Sequence, residues 1–234
     1  MRRLPDWIGI GCVKCGTSWA WSQLKKHPQI YSPYKELNYF NFGQIFQLKS
    51  YISFFEGGEN HQKTGEWTPD YFHHYEAMHN IKEIVPWVKL ITIFRHPIDR
   101  AWSNYKHALQ EGRTKRTFNE CWKFHRVSQR SVYSIHLKRW YELFPKDQIK
   151  VMWYEDIKEK PLEFLQELFR FLDVDDTFVP ENYNEQFEFH YHKNEEINNL
   201  KLSEEDRQEW LKRYLPFTEE LEEITDRDLS HWKK

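Results

Sequence analysis

A chain of 234 residues is long enough for one large or two small domains with a substantial buried core. Aromatics make up 18% of it, including 11 tryptophans, which excludes a disordered polymer; a net charge near −2 excludes a global basic field for nucleic acid. No apolar run approaches the ~20 residues that span a membrane, and three cysteines with no signal-peptide core after Met1 make a reduced, cytoplasmic setting the expectation.

In chain order, the first informative stretch is Trp7-Ile-Gly-Ile-Gly-Cys-Val-Lys14-Cys-Gly-Thr-Ser-Trp19. It reads as a short strand, a glycine-bearing turn and the first turn of a helix, Thr17–Lys26, which ends before His27-Pro28. Such a turn aims several backbone N–H groups at one point, where the helix dipole adds partial positive charge. Lys14 in the loop, with Thr17 and Ser18 at the helix entrance, completes a candidate anion cradle. The lysine is misplaced for an ordinary ATP loop: counting from Gly11, the residue after the second glycine is Thr17.

Further along, Tyr75–Ile84 reads as a helix before Pro86, and Val88–Phe94 as an apolar strand. Pro97 then opens a helix running to about Gln110, with Ile98, Trp102, Tyr105 and Leu109 on one face. Ile149–Tyr154 is a third strand, and Pro161 opens a helix whose apolar stripe is Leu162, Leu165, Phe169 and Leu172. The last third is acidic and helical, Ser203–Tyr214 and then Thr218–Ile224, with charge runs read as solvated faces. Strands alternating with helices predict an α/β fold, a central parallel sheet flanked by helices, with ligands beyond the carboxyl ends of the strands. Both the loop after Ile10 and the segment after Phe94 fall there. That second segment is Ile91-Thr-Ile-Phe-Arg95-His-Pro97-Ile-Asp-Arg100-Ala-Trp-Ser103-Asn-Tyr105. Arg95 offers a rigid donor fork suited to phosphate, and Ser103 lies about two turns into the helix. Pairing of Arg95 with Asp99 is the plainer alternative.

Together the two segments resemble the sulfotransferases that use 3′-phosphoadenosine-5′-phosphosulfate (PAPS). The first matches their 5′-phosphosulfate loop, G-x-x-K-x-G-T-[ST], and the second their 3′-phosphate signature, R-x-P-x-x-R-x-x-S-x-Y. Further blocks follow in family order: Lys35-Glu36-Leu-Asn-Tyr-Phe40, Gly65-Glu-Trp-Thr-Pro69-Asp-Tyr-Phe72, Trp140-Tyr-Glu-Leu-Phe-Pro145 and Ile149-Lys-Val-Met-Trp-Tyr-Glu-Asp156. The resemblance covers roughly residues 7–175 and is nearest to bacterial and glycan (heparan-type) members. It implies a single P-loop-like domain over 1–234, with a donor-binding core at about 7–175 and a helical part at about 176–234.

The resemblance also implies roles. Lys14 would neutralise the leaving phosphate at the bridging oxygen. Cys15, Gly16, Thr17 and Ser18 would hold the 5′-phosphate, and Arg95 and Ser103 the 3′-phosphate. Trp19 matches an aromatic that stacks on adenine, with a core role as the alternative. Glu36 matches the general base of the glycan-type branch, its pKa expected to be raised beside Tyr39 and Phe40. Lys193, in His190-Tyr-His-Lys193-Asn194, stands where the family has a basic loop over the donor phosphates. The co-substrate would be PAPS, the product 3′,5′-ADP, with no metal. The acceptor would be a hydroxyl, or an amine, of a glycan, lipid or small metabolite, and the oligomeric state is open. One departure is Trp67, where glycan-type members often carry Lys and cytosolic members a catalytic His; His73 or His74 could substitute. Competing readings are a P-loop kinase, a non-catalytic nucleotide- or polyanion-binding module that retains the donor loop, and a dithiol site at Cys12-Val-Lys-Cys15; Arg113-Thr-Lys-Arg116 reads as a solvated basic loop or a polyanion patch.

Overall fold

The computed structural model describes residues 4–42, 48–123, 127–185 and 194–234. Its centre is a five-stranded sheet in which every pairing is parallel. The strands are β1 (Trp7–Gly11), β2 (Ile30–Tyr31), β3 (Lys63–Trp67), β4 (Lys89–Phe94) and β5 (Ile149–Trp153), in the order β2-β3-β1-β4-β5. Helices flank the sheet, as the α/β reading expects. β1 is buried throughout and β4 everywhere except Lys89, so both read as continuous apolar runs.

β2 and β3 lie outside the three predicted strands. β3, Lys-Thr-Gly-Glu-Trp, has no apolar run to announce it, yet only its first residue escapes burial. Its polar groups are paired inside the protein, which is what makes burial tolerable. Asp6 Oδ2 accepts from Thr64 N at 2.7 Å and from Thr64 Oγ1 at 3.2 Å. The two tryptophans of the β1–β3 pair face glycines: Trp7 is in register with Gly65, and Trp67 with Gly9. A Cβ on either glycine would run into the opposing indole, and the two indoles meet edge-on, 6.2 Å between centroids. Trp67 is fully buried, so this departure from the family pattern serves the core.

Two compact units are distinguished: Met1–Phe94 with Arg139–Gln186, and Arg95–Lys138 with Phe187–Lys234. This division differs from the boundary expected near residue 175. The reason is packing: the motif-bearing helix Pro97–Gln110 shares its core with the C-terminal helix.

The first unit holds the sheet with helices α1 (Thr17–Leu24), α2 (Leu48–Ser53), α3 (Tyr75–Ile84), α6 (Tyr154–Glu159) and α7 (Pro161–Phe171). α7 buries Phe164, Leu165, Leu168 and Phe169, and Phe164 meets Trp19 of α1 edge-on at 5.8 Å. Between the two units in sequence runs α5 (Tyr133–Leu143), whose Trp140 donates from Nε1 to the Phe72 carbonyl at 2.9 Å within the first unit.

The second unit contains α4 (Pro97–Gln110), α8 (Glu195–Asn199) and α9 (Glu204–Thr225). Its core joins Ile98, Ala101 and Tyr105 of α4 to Phe118, Trp210 and Tyr214, with Phe118 and Trp210 stacked at 3.9 Å. α9 is one helix where two were expected. Pro216 lies inside it, and buried Tyr214 and Thr218 hold the chain in register on either side, Thr218 Oγ1 donating to the Tyr214 carbonyl at 3.2 Å.

Candidate active site

In the first unit, the loop after β1 is tied down at its start, where Cys12 N donates to the Ile93 carbonyl of β4 at 3.1 Å. Lys14 then takes a left-handed φ of 68°, and Gly16 one of 80°. Gly16 is required twice over. A side chain there would be strained, and its Cβ would sit 2.8 Å from Ile157 Cδ1 of α6. α1 begins immediately after, with no side-chain cap and no acid in its first turn. Its first N–H groups have no intrahelical acceptor, and no acid stands in the first turn to offset the positive end of the dipole. Lys14, Gly16 and Ser18 are half-buried, while Cys15 and Thr17 are buried.

Cys12 and Cys15 are buried thiols with no disulfide; Cys12 Sγ lies 3.6 Å from Thr92 Oγ1 and Cys15 Sγ 3.7 Å from the Val13 carbonyl. Trp19 is 5% exposed. Its ring stands edge-on to Phe164 at 5.8 Å.

Glu36 is placed by β3. Lys35 bridges to Trp67 in parallel fashion, and Glu36 N donates to the Trp67 carbonyl at 2.8 Å. Since Trp67 ends β3 and Gly11 ends the adjacent β1, Glu36 and the Lys14 loop both lie beyond the carboxyl ends of neighbouring strands. The expected apolar enclosure of Glu36 is corrected by the structure. Its side chain is 60% exposed and paired with Lys35 Nζ at 2.6 Å, on a backbone with a left-handed φ of 63°.

The enclosed acid is Glu66, which sequence reasoning passed over. It is fully buried on β3, and burial pushes its pKa up to about 7 against the lowering pull of its hydroxyl partners and of Lys35. Those partners are Thr68 Oγ1 at 2.6 Å, Tyr71 OH at 2.9 Å and Tyr51 OH at 3.3 Å. The signal available in sequence was the pair of hydroxyl residues at i+2 and i+5.

Of the alternative bases, His74 Nε2 lies 3.1 Å from Asp70 Oδ2 and His73 Nε2 3.8 Å from Asp70 Oδ1. Asp70, His73 and His74 are the one metal-capable cluster among the described residues, their ligand atoms within 4.8 Å of one another.

In the second unit the motif divides into packing and surface residues. Pro97 opens α4, capped by His96, whose Nδ1 accepts from Ile98 N at 3.3 Å. His96 is 6% exposed, and burial together with the charges of Arg207, His231 and Arg95 lowers its pKa to about 4 despite nearby Asp99. Arg100 is fully buried, donating to the Val127 carbonyl and Ser131 Oγ, and to Asn104 Oδ1 at 3.4 Å. Tyr105 is 7% exposed and donates to the Arg116 carbonyl at 2.9 Å.

What packing leaves at the surface is Arg95 and Ser103, both half-buried, with Arg95 anchored through its own carbonyl, which accepts from Tyr133 OH at 2.9 Å. Asp99, the plainer partner considered for Arg95, is engaged by Arg207 Nη1 at 3.3 Å. Lys106 joins this group unannounced. Partial burial and the charge of Arg95 lower its pKa, which places two cations where an anion would be welcome. Its spacing, one turn beyond Ser103, was the legible sign. Lys193 lies outside the described residues.

A family model described as a sulfotransferase domain matches residues 4–232. Among curated relatives, the mouse bifunctional heparan sulfate N-deacetylase/N-sulfotransferase 3 is 28% identical over 82% of this chain, and human heparan sulfate glucosamine 3-O-sulfotransferase 5 is 28% identical over 74%. The chain spans only 24% and 55% of those proteins' lengths. Among solved structures, a sulfotransferase from Alicyclobacillus acidocaldarius is similar over 99% of this chain and all of its own, with a TM-score of 0.83 at 24% identity. A mouse sulfotransferase complexed with PAP shares the fold over 77% of this chain and 61% of its own, with a TM-score of 0.51 at 21% identity. With the family model matched from one end of the chain almost to the other, the chain belongs to the sulfotransferase domain family, the PAPS-dependent sulfuryl-transferring enzymes.

Proposed function

We propose that this protein moves a sulfuryl group from PAPS to a hydroxyl of a glycan, releasing 3′,5′-ADP. The observation that carries the reading is the loop from Lys14 to Ser18: a lysine and an uncapped helix start, with no acid in the first turn, at the carboxyl end of β1. In-line transfer leaves negative charge on the donor phosphate. Lys14 neutralises it, while the N–H groups around Cys15 and Gly16 and the hydroxyls of Thr17 and Ser18 hold the 5′-phosphate. Arg95 and Ser103 hold the 3′-phosphate that separates this donor from ATP, and Lys106 adds charge there. Glu36, exposed and able to reach an incoming acceptor, takes the hydroxyl proton.

Within this reading no step needs a metal, Trp19 supports α1 from the core, and Lys193 contributes positive charge to the donor phosphates. A glycan acceptor is favoured by the heparan sulfate relatives, one named for N- and one for 3-O-transfer. The cytoplasmic setting drawn from cysteine usage is likewise a proposal, tested by thiol labelling in intact cells.

Calorimetry with 3′,5′-ADP against ATP–Mg²⁺ tests the donor: preference for ATP–Mg²⁺ would overturn the reading in favour of a kinase. Labelled-sulfate transfer to a heparan-type polysaccharide with its amines blocked, and to one with them free, tests the acceptor. Label entering only the second would replace hydroxyl by amine.

A further inference from the structure

Burying a carboxyl group completely is expensive, and a leucine at position 66 would fill the same core without the penalty. What Glu66 provides that an apolar residue cannot is direction. An ionised carboxylate only accepts, whereas a hydroxyl carries one proton and two lone pairs. Thr68 and Tyr71 each donate that proton to Glu66, at 2.6 and 2.9 Å. Their oxygens are thereby left as acceptors for the segment that carries Glu36: Asn38 N donates to Thr68 Oγ1 at 3.3 Å, and Phe40 N to Tyr71 OH at 3.5 Å.

That segment needs holding. Glu36 and Asn38 both have left-handed φ angles, 63° and 54°. Each such residue costs on the order of 1 kcal/mol and persists only when its surroundings over-determine it. Asn38 Nδ2 adds a bond to the Glu36 carbonyl at 2.7 Å, and the rings of Phe40 and Tyr71 meet edge-on at 5.6 Å.

We propose that Glu66 is a positioning residue: acting through the hydroxyls of Thr68 and Tyr71, it fixes the backbone of residues 36–40 and so the direction in which Glu36 meets the acceptor. The inference rests on the reading of Glu36 as the base, although its structural half stands apart from any activity. Tyr51 closes the remaining side of the carboxyl, itself stacked on Tyr39 of the same segment at 4.3 Å. Burial raises the Glu66 pKa to about 7, so the ionised, purely accepting form that this role uses prevails above that pH.

The test is amide exchange by NMR on the full chain, in wild type, Glu66→Gln, Thr68→Val and Thr68→Ser. Glu66→Gln turns one acceptor into a donor and should speed exchange at both Asn38 and Phe40 by about 10-fold, the worth of one modest hydrogen bond. Thr68→Val should do so at Asn38 alone, and Thr68→Ser should restore wild-type exchange. Reporter amides at Thr92 and Ile93 of β4 should not move. In sulfate transfer, Glu66→Gln should lower kcat by about 10-fold while leaving acceptor KM and 3′,5′-ADP affinity unchanged.

Wild-type exchange at Asn38 in both Glu66→Gln and Thr68→Val overturns the proposal, as does an equal rise at the β4 reporters or a Thr68→Ser variant that behaves like the valine. Faster exchange with unchanged kcat overturns the link to Glu36. If the wild type transfers no sulfate at all, the functional reading falls, while the exchange data still decide what Glu66 does.

Discussion

The two motif-bearing regions each bury a titratable group whose charged form burial disfavours, of opposite kind. Beneath the Glu36 segment it is an acid, Glu66, whose pKa burial raises to about 7. At the head of α4, beside Arg95, it is a base, His96, whose pKa burial and neighbouring cations lower to about 4. Burial disfavours the charged form of both groups, while the more exposed charges stand at Lys14 and Glu36 in one unit and at Arg95 and Lys106 in the other. The methods of support differ. The acid works through hydroxyls onto a loop of unusual backbone, while the base caps a helix directly. A ligand-holding loop with left-handed residues needs a larger supporting network than a helix start, which has its own dipole and its own hydrogen-bond ladder.

The largest effect should come from emptying the field in the first region. Lys14→Ala should reduce kcat by about 10²–10³-fold or more, the scale of losing one preorganised charge donor. Arg95→Ala in the second region should instead weaken 3′,5′-ADP binding by about 10–100-fold, as expected for a charge-assisted phosphate contact. Titration calorimetry beside steady-state kinetics separates the two, and a Lys14→Ala enzyme that loses affinity but keeps kcat would reverse the assignment.

Glu36→Ala should lower kcat by about 10²-fold or more and spare donor affinity. Full activity in that variant would pass the role of base to His73 or His74.

The buried pair gives the subtlest contrast. Glu66 binds a proton more tightly folded than unfolded, so its contribution is fully present below about pH 4.5 and is lost as pH rises through about 7. His96 binds a proton less tightly folded, so its contribution is present above about pH 6.5 and is lost as pH falls through about 4. Each swing is on the order of 3 kcal/mol and the two oppose. Urea midpoints of Glu66→Gln should therefore rise from pH 4.5 to 6.5 more steeply than wild type, and those of His96→Asn should rise less or fall. Parallel profiles for all three proteins would show that neither group titrates as its burial implies. Smallest of all, EDTA should leave sulfate transfer unchanged; loss of activity on chelation, restored by zinc and abolished with Asp70→Ala, would bring the Asp70–His73–His74 cluster into the chemistry.

Much of this arrangement was legible in the chain because its cause is local. β1, β4 and β5 announce themselves as apolar runs, Pro97 and Pro161 mark helix starts, and the displaced Lys14 separates the loop from those that bind ATP. β3 was not legible, because Thr64 and Glu66 are buried through partners distant in sequence, Asp6 and Tyr51 among them. For the same reason the enclosed acid was sought at Glu36, where Tyr39 and Phe40 are neighbours in sequence, although its side chain is 60% exposed. α9 was split at Pro216 because proline alone argues for a break, and only tertiary contacts of Tyr214 and Thr218 overrule it. Arg100 and Tyr105, two positions of the 3′-phosphate signature, are buried in the core.

The crossed tryptophans of β1 and β3 bear on how this enzyme could change. Trp67 occupies the space that Gly9 leaves empty, and Trp7 the space above Gly65, so the four positions form one interlocking unit. Exchanging Trp67 for a lysine or histidine would bring a polar group into a buried position and leave a hole the size of an indole over Gly9. Filling that hole first, by enlarging Gly9, collides with the tryptophan still in place. Each single step meets the other, so replacing Trp67 by a different residue requires a paired substitution at Gly9.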